Sequence, residues 1–173
     1  MSGALAGIAH AGQPSAQAVV KKITLTAHIG DSIFVSRPDG SAWYDVVELT
    51  ANDNTQKTFS KTLPIRVWTK NPDFIVTLAR PLRLSNGHGE MTNAEVALTG
   101  ADGTAIVAPD SVRKVTQVRP GDGGGFDEIH NLKISANAPA RNGAARANGS
   151  YSGDLVLLFE PTAASGDDGP IEQ

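Results

Sequence analysis

Nowhere does this chain repeat its apolar residues at the spacing of a helix. Short runs rich in Val, Ile, Leu and Thr recur instead, at intervals of about a dozen residues, each closed by a cluster of Gly, Pro, Asn or Asp. That rhythm points to an all-β domain with frequent turns, and seven to nine such strands suggest a β-sandwich. At 173 residues the chain has room for one domain with a real core. Aromatics are only 5% of it, so Val, Ile, Leu and Ala must fill that core.

The cleanest strand signal lies near the start. Ile23, Leu25, Ala27 and Ile29 share one parity, led by Val19, while Lys22, Thr24, Thr26 and His28 hold the other. Period two gives one apolar face and one polar face. Further runs follow at 33–36, 43–50, 58–69, 74–79, 82–84, 95–98, 104–107, 112–118, 129–136 and 150–160. Pro64 confines its part of the 58–69 run to an edge or a bulge, because proline cannot donate to a ladder. Gly100-Ala-Asp-Gly103 reads as the turn of a hairpin. The 129–136 run reads as an alternating strand, with Ile129, Leu132 and Ile134 as its apolar, core-facing residues. In the last run Leu155, Leu157 and Phe159 face one way, and Val156 and Leu158 the other. A strand apolar on both faces is either a central strand or one that lines a groove.

The ends differ from the middle. Gly3 to Ala11 is small and apolar, and Ala16-Gln17-Ala18 fits signal-peptidase cleavage before Val19, although no Lys or Arg precedes the run. Residues 1–18 are therefore expected to be a signal-peptide remnant and the mature chain to be exported. Residues 162–173 are acidic and Gly-containing, and read as a disordered tail.

The composition excludes several functions. A net charge of −3 without a basic patch argues against nucleic acid as a partner. With no cysteine there is neither a disulfide nor a thiolate metal site. His10, His28, His88 and His130 show no metal-ligand spacing, so no metal or other cofactor is expected. Gly121-Asp-Gly-Gly-Gly125 with Asp127 and Glu128 lacks the alternating carboxylates of a calcium loop. No nucleophile elbow or other catalytic constellation is present, so no catalytic residue is assigned and no enzyme is expected. Trp43, Tyr44 and Trp68 could stack on a sugar if exposed; in a chain so poor in aromatics, core packing is the plainer expectation.

Two segments carry a resemblance. Val19-Val-Lys-Lys-Ile-Thr-Leu-Thr-Ala-His-Ile29 and Asn148-Gly-Ser-Tyr-Ser-Gly-Asp-Leu-Val-Leu-Leu-Phe159 resemble the two ends of colonisation-factor and cable-pilus type fimbrial major subunits, the alpha-type (class 5) chaperone–usher pilins. Asp39-Gly-Ser41 and Ile134-Ser-Ala136 also fit, and the likeness extends over about 19–161. It implies an immunoglobulin-like β-sandwich over 31–161 that lacks its last strand, preceded by a donor strand at 19–30. A periplasmic chaperone would fill the gap first. At an outer-membrane usher, the N-terminal strand of the next copy would replace it, giving a head-to-tail polymer on the cell surface with a tip adhesin at its end. In that scheme Val19, Ile23, Leu25, Ala27 and Ile29 are the donor residues, and Tyr151, Leu155, Leu157 and Phe159 border the acceptor groove.

The residues suit such a role. Ile23, Leu25 and Ile29 would each contribute roughly 1.5–3 kcal/mol on burial, and each ladder hydrogen bond about 0.5–1.5 kcal/mol. A one-residue slip would bury Lys22, so register is defined. On pattern alone residues 19–29 read more readily as the first strand of the chain's own sandwich, and it is the resemblance that points to donation instead. With the strand in its own sandwich, the chain would be a secreted, stand-alone module that binds carbohydrate or protein. Tyr151 would anchor its turn through the hydroxyl or by plain packing.

Overall fold

The computed structural model describes residues 32–140 and 148–162. Among them there is no helix, and nine strands run β1 (Ile33–Ser36), β2 (Thr50–Ala51), β3 (Thr58–Thr69), β4 (Asp73–Leu78), β5 (Thr92–Gly100), β6 (Gly103–Val107), β7 (Arg113–Thr116), β8 (Phe126–Asn137) and β9 (Leu157–Pro161). Two antiparallel sheets result. The larger has the order β1-β3-β8-β5-β6, with β2 also on β3; the smaller is β7-β4-β9.

The long pair β3 and β8 is the spine. It runs in unbroken register from Thr58↔Asn137 to Thr69↔Phe126. Leu63, Ile65 and Val67 point inward from β3, and Leu132, Ile134 and Ala136 from β8, all buried. Phe74, Val76 and Leu78 of β4 meet them from the smaller sheet, with Val96, Leu98, Val107 and Val115 completing the core. The predicted hairpin closes where expected, with Gly100 opposite Gly103.

Pro64 lies inside β3 without breaking it, and the neighbours of β3 explain why. β8 holds one edge of β3 throughout; β1 takes residues 66–69 and β2 takes 59–60 of the other. Pro64 falls in the gap between β1 and β2, where its carbonyl accepts a hydrogen bond from the Tyr44 hydroxyl at 2.8 Å. A residue's N–H and C=O share one side of an antiparallel strand, so the missing N–H faces the same gap and no ladder bond is lost.

Three expectations need correction. Of the 43–50 run only Thr50 pairs as strand, together with Ala51 just beyond it, because the gap beside β3 is spanned by irregular chain; Tyr44, Val47 and Leu49 still pack on the core. The 82–84 run forms no strand. The last strand is shorter than 150–160, since residues before Leu157 form no continuous ladder: they are held by an isolated bridge between Ser85 and Ser152 and by the Ala79 N–H donating to the Val156 carbonyl at 3.0 Å. There the Tyr151-Ser-Gly153 turn acquires a physical reason: a Cβ on Gly153 would collide with the Arg83 carbonyl.

The inward face of β8 also differs from the simple apolar reading. Ile129 points out and is 56% exposed, whereas Glu128 and His130 share the inward parity of Leu132.

Candidate functional site

The two sheets are unequal, and the inequality falls at β9. Among the described residues β9 pairs with β4 alone, from Phe74↔Pro161 to Leu78↔Leu157. Its other edge carries no strand among the described residues. β1 is the larger sheet's nearest strand on that side, and Ile33 and Val35 pack against the core there.

The side chains along β9 record this. Leu157 and Phe159 point inward and touch the core, yet both are only half-buried, as is Leu155 just before the strand. Their paired neighbours Val76 and Leu78 are fully covered. On the outer face Val156 is 39% and Leu158 47% exposed. Tyr151 is half-buried, with its hydroxyl over Gly89 near the Ser85–Ser152 bridge. Val19, Ile23, Leu25, Ala27 and Ile29 lie outside the described residues.

The aromatic residues converge on this edge. Phe159 stands against Phe74 (centroids 6.2 Å apart) and, from the segment that follows β1, against Trp43, which meets it edge-on at 6.1 Å and 73°. Trp43 also contacts Tyr44 at 5.9 Å, and the Arg37 guanidinium lies 4.6 Å from the Tyr44 ring centre. Trp68 is elsewhere: its indole N–H donates to the Gly124 carbonyl at 3.1 Å and pins the 120–125 loop. Sequence reasoning named these aromatics but had no means of joining Trp43 to Phe159, which are far apart in the chain.

At the inner end of the row is a histidine to which the sequence assigned no role. His130 is fully buried and edge-on to Phe74 at 5.6 Å. Its Nε2 is 3.5 Å from Gln117 Oε1 and 4.0 Å from Glu128 Oε2, and its Nδ1 is buried without a hydrogen-bond partner, facing Gly100. Gln117 donates to the Thr69 hydroxyl at 2.6 Å, which in turn donates to the Asn71 carbonyl. Burial pushes the His130 pKa down, against the opposing pull of Glu128 and Asp102. Burial thus favours the neutral ring.

Asp127 and Glu128, which follow the Gly-rich loop, are engaged with the protein itself. Asp127 is paired with Arg66, which holds its carboxyl below the usual range. Glu128 Oε1 accepts the N–H groups of Val118 (2.5 Å) and Arg119 (2.7 Å). Among the described residues no group of His, Asp and Glu is arranged to hold a metal ion.

The site is thus an unpaired strand edge with a half-covered apolar face. Such an edge presents backbone donors and acceptors to another strand. Comparisons with known proteins agree in kind. A family model described as CS1 type fimbrial major subunit matches residues 19–160. Among solved structures, the fold is similar to that of the CooA pilin subunit from enterotoxigenic Escherichia coli, with a TM-score of 0.61 and 21% identity, covering 74% of this chain and 86% of that one. No curated protein sequence matches. An all-β sandwich with one short, open sheet, matched over residues 19–160, identifies the chain as a member of the CS1-type fimbrial major subunit family, a structural pilin of a bacterial surface fimbria.

Proposed function

We propose that this pilin polymerises by strand donation: residues 19–29 of one copy pair along the free edge of β9 in the next, with Ile23, Leu25, Ala27 and Ile29, led by Val19, turned toward Leu155, Leu157 and Phe159. The observation that carries the reading is the half-burial of Leu157 and Phe159 beside an edge with no partner among the described residues. Donation from copy to copy is a heterologous contact that does not close, so it builds a filament. Cleavage before Val19 frees the donor. Before assembly the same edge is covered by a periplasmic chaperone, and subunits join at an outer-membrane usher behind a tip adhesin. The fibre so formed supports adhesion to host surfaces. The family is one of structural pilins, and no catalytic role is proposed.

The test compares the chain beginning at Val19 with one beginning at Asp31, by size-exclusion chromatography and thermal melting. The longer form should make oligomers. The shorter should stay monomeric and melt at a markedly higher temperature once a peptide of residues 19–29 is added, since a ligand of the folded state alone raises its stability. A longer form that is a stable monomer, and that trimming merely unfolds, would place the strand in the chain's own sandwich. The protein would then be a stand-alone carbohydrate- or protein-binding module.

A further inference from the structure

We infer that Trp43 is a placeholder in the acceptor groove: in the unpartnered subunit it shields Phe159, and an incoming strand must displace it, so Trp43 sets how fast strands are taken up. This rests on the strand-donation reading above.

Three observations support it. First, Phe159 is clasped by two rings of different origin. Phe74 comes from β4, the one strand paired with β9 among the described residues, whereas Trp43 comes from the irregular segment after β1. Second, Trp43 is supported from behind but is not locked in front. Its neighbour Tyr44 is tied to Pro64 by a 2.8 Å hydrogen bond and covered by Arg37, while Trp43 itself stays 36% exposed on irregular chain. Third, the distances set the two in competition for Phe159. A strand added to β9 runs about 4.8 Å from it and sets its own side chains roughly 4.5–5.5 Å from those opposite. The Trp43 ring already stands against Phe159 at a similar range, 6.1 Å between centroids.

A ring that covers an empty site and leaves when the site fills acts as an internal competitor. It limits exposure of Phe159 in the free subunit and slows capture of a strand. Losing a single edge-on aromatic contact corresponds to about a tenfold change in rate at most.

The experiment uses the full chain, freshly refolded, and an excess of fluorescein-labelled peptide of residues 19–29, with capture followed by anisotropy. Trp43→Ala should capture the peptide about tenfold faster than the unaltered chain, and Trp43→Phe should stay close to it. In a Trp68→Phe background Trp43 is the sole tryptophan, and its emission should shift as the peptide binds. If Trp43→Ala no longer melts cooperatively, the Trp43→Phe rate and the emission shift carry the test. Capture by Trp43→Ala at an unchanged or lower rate, or peptide binding without change in Trp43 emission, overturns the placeholder role and leaves strand donation standing. An unaltered chain that takes up no peptide and never oligomerises overturns both.

Discussion

On β8 the inward side chains Leu132, Ile134 and Ala136 are sealed, with β3 along one edge and β5 along the other. On β9 the inward side chains Leu157 and Phe159 are as apolar, but β4 covers one edge only and both remain half-exposed. Hydrophobicity is therefore not what separates the two strands. The difference is the number of neighbours each has: a strand flanked on both sides gains cover from the adjacent side chains as well as from the opposing sheet. β9 is sequence-built for an interior that the described residues do not complete. Its outward Val156 and Leu158 add to the effect, since a solvated face would normally be polar there.

The contrast can be broken by truncating each strand in turn. Leu132→Ala should cost about 2–5 kcal/mol by chemical denaturation, the usual range for a fully buried leucine. Leu157→Ala should cost clearly less in the free subunit, and more once the 19–29 peptide is bound, while the Leu132→Ala loss stays the same. Equal losses in the free subunit would mean that β9 is already covered.

Gly153→Ala should follow in size, at about 1–3 kcal/mol, because its methyl must push the Arg83 backbone aside where the chain turns toward β9. A neutral result in thermal melting would show that the turn relaxes freely and does not position the strand.

The interior of β8 carries a pH dependence that β9 lacks. The folded His130 pKa lies below its ordinary 6.5, chiefly through burial, so the folded state binds a proton less readily than the unfolded chain. Its contribution to stability is complete above about pH 6.5, declines as pH falls below that value, and levels off once folded His130 itself becomes protonated. Glu128 and Asp102 oppose the shift and reduce the loss. Denaturation midpoints between pH 7.5 and 5 should fall for the unaltered chain and flatten in His130→Leu. An unchanged slope would assign the acid sensitivity elsewhere.

The smallest effect is expected at the gap in β3. Tyr44→Phe removes the hydrogen bond to Pro64 and should cost about 0.5–1.5 kcal/mol in melting experiments. If it also speeds peptide capture, Tyr44 braces Trp43 and the two act together.

Much of this fold could be read directly. The bounds of β1 and β3 were legible as runs of strand-forming residues between turn signals, and the β5–β6 hairpin from its paired glycines. The Tyr-Ser-Gly motif before β9 marked the family, and the structure supplies its steric basis at Gly153. The 43–50 run was misread because its apolar residues do contact the core, and local pattern does not distinguish a residue buried in a strand from one laid over a gap. On β8, Ile129 looked like part of the core and His130 did not. The register with β3 decides otherwise, since Leu132, Ile134 and Ala136 fix the parity and carry Glu128 and His130 inward with them.

Local pattern carried most of the strands and turns, their number to within a few, and, in the two end segments, the likeness to the family. Those are local properties, set by period two, by β-branched side chains and by glycine and proline. It took the folded chain to show which strand edge the described residues leave open, that Trp43 lies on Phe159, and that a histidine is buried against Phe74. These depend on which strands become neighbours, a choice made by pairing between segments remote in the chain, and no local pattern encodes it.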